Sequence, residues 1–240
     1  MENSEKLIVS LRQLQNRITA ACGHANREPS SVRLIWVSKM QPLSAVEEAI
    51  QLGAREFGEN RVQEALEKFL PAREGIKCRI IGPVQKNKLK KAASVAQSID
   101  SIADLESVEK LESFCEEFYS ARGAETLKKL EILFQVNTSK EESKSGVPMQ
   151  EAEEFLRALP TPNNLVYRGL MTIGKNTGNP EDSREGFSFL RNLRDKMFNS
   201  NPKFEQFTEL SMGMTGDLEV AIAEGATMLR IGTALFGERL

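Results

Sequence analysis

Two hydropathic patterns alternate along the chain. Short runs of consecutive apolar residues, many of them β-branched or aromatic, give way to longer stretches in which apolar residues recur every three or four positions. The first pattern predicts buried strands and the second amphipathic helices. A helix comes first, Ser4 to Cys22, and the strand "VRLIWVS" follows at Val32 to Ser38. The next helix, "LSAVEEAIQLG", ends at Gly53, a glycine placed as a C-terminal stop. Three further pairs follow: strand Arg55 to Glu59 with helix Asn60 to Leu70, strand Cys78 to Gly82 with helix "QKNKLKKAASVA", and strand Ser98 to Ser101 with a helix capped by Asp104. Strand Lys129 to Asn137 leads through the loop "TSKEESKSGVP" to the helix "MQEAEEFLRAL". Strand Val166 to Thr172 leads through "IGKNTGNPED" to a helix over Ser183 to Phe198. Strand Gln206 to Met212 precedes a helix over Gly216 to Gly225, and strand Thr227 to Gly232 precedes "TALFGER".

Strand-then-helix alternation argues for a parallel sheet. Eight such units in 240 residues match the count and size of a closed barrel. An open doubly wound sheet shares the alternation but usually has fewer strands. No linker or shift in composition divides the chain. The expected fold is therefore α/β: a single (β/α)8 TIM barrel over residues 1–240, with an extra N-terminal helix. In such a barrel the site lies at the C-terminal ends of the strands. Those ends carry Lys39, Glu59-Asn60, Gly82, Asp100-Ser101, Asn137, Met171, Ser211 to Gly213 and Gly232-Thr233.

Composition narrows the function. With 40% hydrophobic and 28% charged residues the chain reads as a soluble globular protein. A net charge of −2 offers no footprint for nucleic acid or an anionic membrane, and the basic run Lys86 to Lys91 reads as a solvated helix face. The opening residues form an amphipathic helix rather than a signal peptide, and no apolar run reaches membrane-spanning length. Cys22, Cys78 and Cys115 are odd in number and far apart, which supports neither a disulfide framework nor a zinc site. A cytoplasmic protein with reduced thiols is expected. His24, the single histidine, stands at the end of the first helix, where a capping role is the simpler reading. A Ser-His-Asp triad would have to be built on it, so most hydrolase mechanisms fit poorly.

Three features carry chemistry. After the seventh strand the chain reads "SMGMTGD" and after the eighth "RIGTALFG". Each puts a glycine and a hydroxyl at a strand end just before a helix, which suits a phosphate, although ordinary turns would look the same. Lys39 ends the first strand. It either snorkels outward, binds a phosphorylated substrate as a cation, or forms a Schiff base with a phosphorylated aldehyde. Arg230 sits inside a short apolar strand, a costly place unless it is paired within the barrel, for instance with Asp100 or Glu59, or donates to a ligand.

The set "VSKMQP", "FGENRVQEALEK", "IGPVQKNKLK", "QVNTSKEESKSG", "RGLMTI" and "ELSMGMTGDLEVAIAEGATMLRIGTALFG" closely resembles the pyridoxal phosphate homeostasis protein family, in order, from about Val32 to Gly237. The resemblance implies a barrel similar to the N-terminal domain of alanine racemases (fold type III). It implies pyridoxal 5′-phosphate held as a Schiff base on Lys39. The phosphate would sit on the residues matching Ser211, Gly232 and Thr233, the ring nitrogen would face Arg230, and Asn60 would lie close to the cofactor. It also implies a monomer with a role in vitamin B6 and amino-acid homeostasis and no established turnover. Two positions depart from the pattern: many members read "H-x-I-G-H-L-Q" where this chain has "RIIGPVQ", so Pro83 replaces a histidine, and Ser145 stands where histidine is common.

The residues fit that picture. Alanine racemases add a second domain and a tyrosine from a partner subunit. Here the chain ends three residues after Gly237, so no second domain is expected. Tyr119 falls in an outer helix and Tyr167 near the start of a strand, away from the mouth. The expected function is a non-enzymatic carrier or regulator of pyridoxal phosphate. Its partners would be the cofactor and apo forms of pyridoxal phosphate-dependent enzymes, with no metal and no catalytic residue. The alternatives are a racemase-like enzyme and a barrel acting on phosphorylated sugars, with Lys39 as a plain cation.

Overall fold

The eight expected strands close on one another. The computed structural model describes residues 2–122, 129–139, 141 and 145–237. Its strands are β1 (Arg33–Val37), β2 (Glu56–Glu59), β3 (Lys77–Ile80), β4 (Ser98–Ile102), β5 (Leu130–Asn137), β6 (Val147–Pro148), β7 (Leu165–Met171), β8 (Glu209–Ser211) and β9 (Met228–Ile231). All pairings are parallel, and β1 meets both β2 and β9 while β4 meets β5, so the sheet has no open edge among the eight barrel strands. β6 is a two-residue strand on the end of β5, within the stretch expected to be loop. Residues 140 and 142–144 of that loop, and residues 238–240, lie outside the described residues.

The helices are α1 (Glu2–His24), α2 (Leu43–Gln51), α3 (Val62–Phe69), α4 (Leu89–Val95), α5 (Leu105–Arg122), α6 (Ala152–Ala158), α7 (Arg184–Phe198), α8 (Leu218–Ala223) and α9 (Thr233–Phe236). Asp104 caps α5 as expected, its carboxylate accepting the Ser107 N–H at 2.9 Å. The extra helix α1 presents Leu7, Leu14, Ile18 and Ala21 at helical spacing, and all four are buried. It packs on α8 and α9, with Arg17 bonded to Glu219 and the Thr215 carbonyl. The basic run is solvated, with Lys86 paired to Glu106 and Lys90 to Glu117 across the α4–α5 surface.

Strand alternation sorts the barrel interior into layers, because successive side chains point to opposite faces. On β1, Arg33, Ile35 and Val37 point one way, and on β5 so do Glu131, Leu133 and Gln135. The lowest pair, Arg33 and Glu131, joins an ionic network. The middle pair, Ile35 and Leu133, forms an apolar plug with Met171 and Met228. The upper pair, Val37 and Gln135, lines a cleft at the barrel mouth. The fold therefore seals the bottom of the barrel and leaves the top open.

Arg79 is the centre of the network. It is fully buried and donates to Glu56 at 2.7 Å, to Asp100 at 2.9 Å and to Glu209 at 3.4 Å. Arg168 binds Glu209 from β7, and Lys77 binds Glu131. Every barrel strand except β9 contributes a charge. Burial works against the Arg79 charge, but the surrounding carboxylates outweigh it and keep the guanidinium protonated. The expectation that Asp100 stands at the mouth is corrected here. β4 runs to Ile102, so Asp100 is mid-strand, fully buried and committed to Arg79.

Gly169 marks a shift in register between β5 and β7. Its φ is +156°, and a Cβ there would lie 1.9 Å from the Glu209 carbonyl oxygen, so only glycine lets β7 close on β8.

Removing one partner of a buried ionic network leaves the others uncompensated, at a cost of about 3–5 kcal/mol. Arg79→Met is therefore expected to lower unfolding free energy by that amount in urea titrations, whereas Lys90→Met, in an exposed pair, is expected to change it by less than about 1 kcal/mol.

Candidate functional site

The cleft above the plug has a volume of about 470 Å³, within the usual range for small-molecule sites. Its walls come from both ends of the chain, with Gln135, Ser145 and Ile173 from the middle. Lys39 is supplied by the β1–α2 turn, Asn60 by the end of β2, and Gly82 and Pro83 by the end of β3. Thr215 and Gly216 arrive from the loop after β8, and Arg230, Gly232 and Thr233 from β9 and the start of α9.

The Lys39 turn is held from outside the barrel. Met40 has φ +62°, a left-handed conformation that costs a side-chain-bearing residue about 1–2 kcal/mol. Its N–H donates to Glu64 Oε2 of α3 at 2.7 Å. On the other side of Lys39, the Ser38 carbonyl accepts from Lys68 Nζ at 2.7 Å. Lys68 also donates to Glu59 Oε1 at 2.9 Å, and the Ser38 hydroxyl donates to the same oxygen at 2.7 Å. Glu59 is fully buried, and its second carboxylate oxygen has no hydrogen-bond partner. Burial pushes the Glu59 carboxyl above its ordinary range, and Lys68 and Ser38 offset this only in part. For Glu64, burial acts upward too, but the Met40 N–H and Lys68 prevail and hold it below.

Arg230 is buried, and within the barrel it meets backbone and hydroxyl oxygens rather than the carboxylates the sequence offered. Nη1 donates to the Ser211 carbonyl at 2.7 Å and its hydroxyl at 3.0 Å, and Nη2 donates to the Thr172 carbonyl at 2.7 Å. Asp100 and Glu59 are occupied elsewhere, by Arg79 and Lys68. Burial brings the Arg230 guanidinium down to about 10, against the pull of Asp100 and Asp217, which leaves it charged at neutral pH. The loop after β8 is closed by Asp217, whose carboxylate accepts the Met214 N–H at 2.7 Å. Gly213 has φ +93°, and a Cβ there would strike Ala221 at 2.5 Å, so glycine is what brings this loop over the helix.

Five of the six expected cofactor residues, Lys39, Asn60, Arg230, Gly232 and Thr233, thus line one cleft. Ser211 does not. It is fully buried below the cleft, where its hydroxyl accepts from Arg230. Pro83 and Ser145, the two departures from the family pattern, both reach the cleft wall. Of the other strand-end residues, Met171 belongs to the plug and Asn137 donates to the Glu141 carbonyl. Tyr167 faces the outer layer and donates to the Pro160 carbonyl at 3.1 Å, while the side chain of Tyr119 lies outside the described residues. Sequence reasoning missed Lys68, Glu64 and Gln135. The helical spacing of Glu64 and Lys68 was the available signal, since a lysine on the buried face of an amphipathic helix requires a partner.

A lysine at the end of the first strand and an arginine in the last, facing one cleft of a parallel barrel, define a class of protein. Residues 9–240 match the family model for the alanine racemase N-terminal domain. Among curated proteins, the pyridoxal phosphate homeostasis protein of Escherichia coli K12 is 37% identical over 235 residues, covering 96% of this chain and 95% of that protein. That of Vibrio alginolyticus is 39% identical over 223 residues, covering 91% and 90%. The chain belongs to the pyridoxal phosphate homeostasis protein family. Among solved structures, an unknown protein from Bifidobacterium adolescentis superposes with a TM-score of 0.87 at 34% identity, covering 98% of this chain and 96% of that one. PipY of Synechococcus elongatus, solved with PLP (pyridoxal phosphate) bound, gives 0.75 at 31% identity, covering 92% and 100%. An alanine racemase of Clostridium difficile gives 0.70 at 13% identity, a likeness of fold, with this chain covering 56% of that one.

Glu59 carries a pH signature. Its folded carboxyl lies above its unfolded value, so its contribution to stability is complete below the unfolded pKa and is lost as pH rises through the folded one. Glu59→Gln removes that loss. The difference in urea midpoint between the variant and the unaltered protein is therefore expected to move in the variant's favour as pH rises above the ordinary carboxylate range, whatever its offset at low pH.

Proposed function

We propose that this protein binds pyridoxal 5′-phosphate in the mouth cleft as a Schiff base on Lys39 and serves as a carrier or regulator of the cofactor, with a secondary effect on amino-acid balance, rather than as an enzyme. The observation that carries this reading is the meeting of Lys39, Arg230, Gly232 and Thr233 around one cleft. The donor set fits the ligand. Lys39 supplies a primary amine, the Gly216 and Gly232 turns bring backbone close to an anion, and Thr233 adds a hydroxyl. At Gly232 a Cβ would sit 3.1 Å from the Val37 carbonyl oxygen, so glycine keeps this turn tight against β1. Ser211 joins this set through Arg230, which it accepts from. The names of the bacterial relatives and the PLP-bound PipY neighbour point the same way.

Bound pyridoxal phosphate supplies an electron sink for reactions at a substrate carbon. Arg230 weakens that use. A guanidinium can only donate, so a ring nitrogen facing it stays unprotonated. Among the described residues that line the cleft, Lys39 and Arg230 are the titratable groups, and Tyr167 is turned away. A second acid/base partner of the kind a racemase needs is not among them, which favours carriage over turnover. No helix of the described residues is long and apolar enough to cross a membrane. The three cysteines are buried thiols, which suits a reducing compartment such as the cytoplasm; the proposed carrier is a monomer that passes its cofactor to apo enzymes.

The test is direct. On addition of pyridoxal phosphate the protein is expected to turn yellow, and borohydride reduction is expected to place the label on Lys39. Lys39→Ala is expected to abolish both, and a protein that stays colourless refutes the reading. Transfer of the loaded cofactor to an apo pyridoxal phosphate-dependent enzyme then separates delivery from storage.

A further inference from the structure

Two side chains outside the cleft, Lys68 and Glu64, hold the two peptide units that flank Lys39. The Ser38 carbonyl is held by Lys68, and the Met40 N–H by Glu64. Lys68 and Glu64 also bond to each other at 3.3 Å, and Glu59 binds both Lys68 and the Ser38 hydroxyl. All of this lies on β2, α3 and the end of β1. None of Ser38, Glu59, Glu64 and Lys68 lines the cleft.

We propose that Lys68, Glu64 and Glu59 form a positioning clamp that fixes the backbone of Lys39 so that its amine meets the aldehyde of pyridoxal phosphate. This rests on the Schiff-base reading above and adds the residues that make it efficient. The bond at issue is an imine: the neutral Nζ displaces the aldehyde oxygen, which leaves as one water. A lysine side chain has four rotatable bonds and up to about 2 kcal/mol of rotamer entropy, so the protein controls its amine chiefly by fixing where the Cα lies and which way the Cβ points. A displacement of about 1 Å at a reacting atom can cost about a hundredfold in rate. The left-handed Met40 sets that direction, and such a conformation persists only where the surroundings over-determine it. Glu64 supplies the restraint after Lys39 and Lys68 the restraint before it. Glu59 holds Lys68 from the barrel wall, buried deeply enough that it has little freedom to move.

Glu64 is the residue to alter, because it sits at the rim with its side chain 18% exposed, where truncation leaves the core intact. Two ligands separate positioning from general damage. Pyridoxal 5′-phosphate forms the imine, whereas pyridoxine 5′-phosphate has the same ring and phosphate with an alcohol in place of the aldehyde. Glu64→Ala is expected to weaken pyridoxal phosphate binding about tenfold and to slow the appearance of the imine absorbance, the loss of one charged hydrogen bond at the turn. Its affinity for pyridoxine phosphate is expected to match that of the unaltered protein. Glu64→Gln, whose amide oxygen still accepts the Met40 N–H, is expected to recover most of the loss, and Lys68→Met is expected to reproduce it. Equal weakening toward both ligands, or none toward either, overturns the clamp while leaving the Schiff-base reading in place. An unaltered protein that binds both ligands alike and forms no imine overturns the Schiff-base reading, and the clamp with it.

Discussion

Arg79 is a guanidinium with no exposed surface, held among carboxylates from β2, β4 and β8, and the rest of the barrel is arranged around it. With Glu131 of β5, four acids at the base of the barrel would repel one another if the central cation were missing. With it, charges on every strand but β9 are drawn to one axis, and the lower end of the barrel is closed without a large apolar core. The cost is desolvation, and close, multiply bonded geometry is what offsets it.

Each layer above follows from that base by strand alternation. Two residues beyond Arg33 and Glu131 come Ile35 and Leu133, which with Met171 and Met228 form a dry plug. Two residues beyond those come Val37 and Gln135, at the cleft. Arg230 belongs to the upper layer of β9, which is why it is absent from the network below. It instead meets main-chain carbonyls of β8 and the end of β7, an arrangement that holds a cation in place without neutralising it. Among the described residues, a barrel built this way opens its interior to solvent at the mouth.

The family to which the chain belongs shares its fold with alanine racemases, yet the likeness to a racemase is 13% in sequence while that to the homeostasis proteins is 37%. The site follows the same division. Lys39, the glycine turns and Arg230 line the cleft, and so do Pro83 and Ser145.

Strand number, order and approximate ends were legible in the sequence, because a buried parallel strand and an amphipathic helix have different apolar periods. Lys39, Gly232 and Thr233 were legible for a related reason: strand ends followed by glycine or a hydroxyl mark the mouth of a barrel. Partners were not. Asp100 looked like a mouth residue because its strand was read one residue short, and the only partners offered for Arg230 were a carboxylate or a ligand, not the carbonyls of its neighbours. Lys68 lies 29 residues from Lys39 and Glu209 lies 130 from Arg79, separations at which periodicity says nothing about contact. Sequence determined which residues face inward, since that depends on local period alone. Only the closed barrel decided which buried charges find each other, because burial makes pairing obligatory and closure sets which partners come within reach.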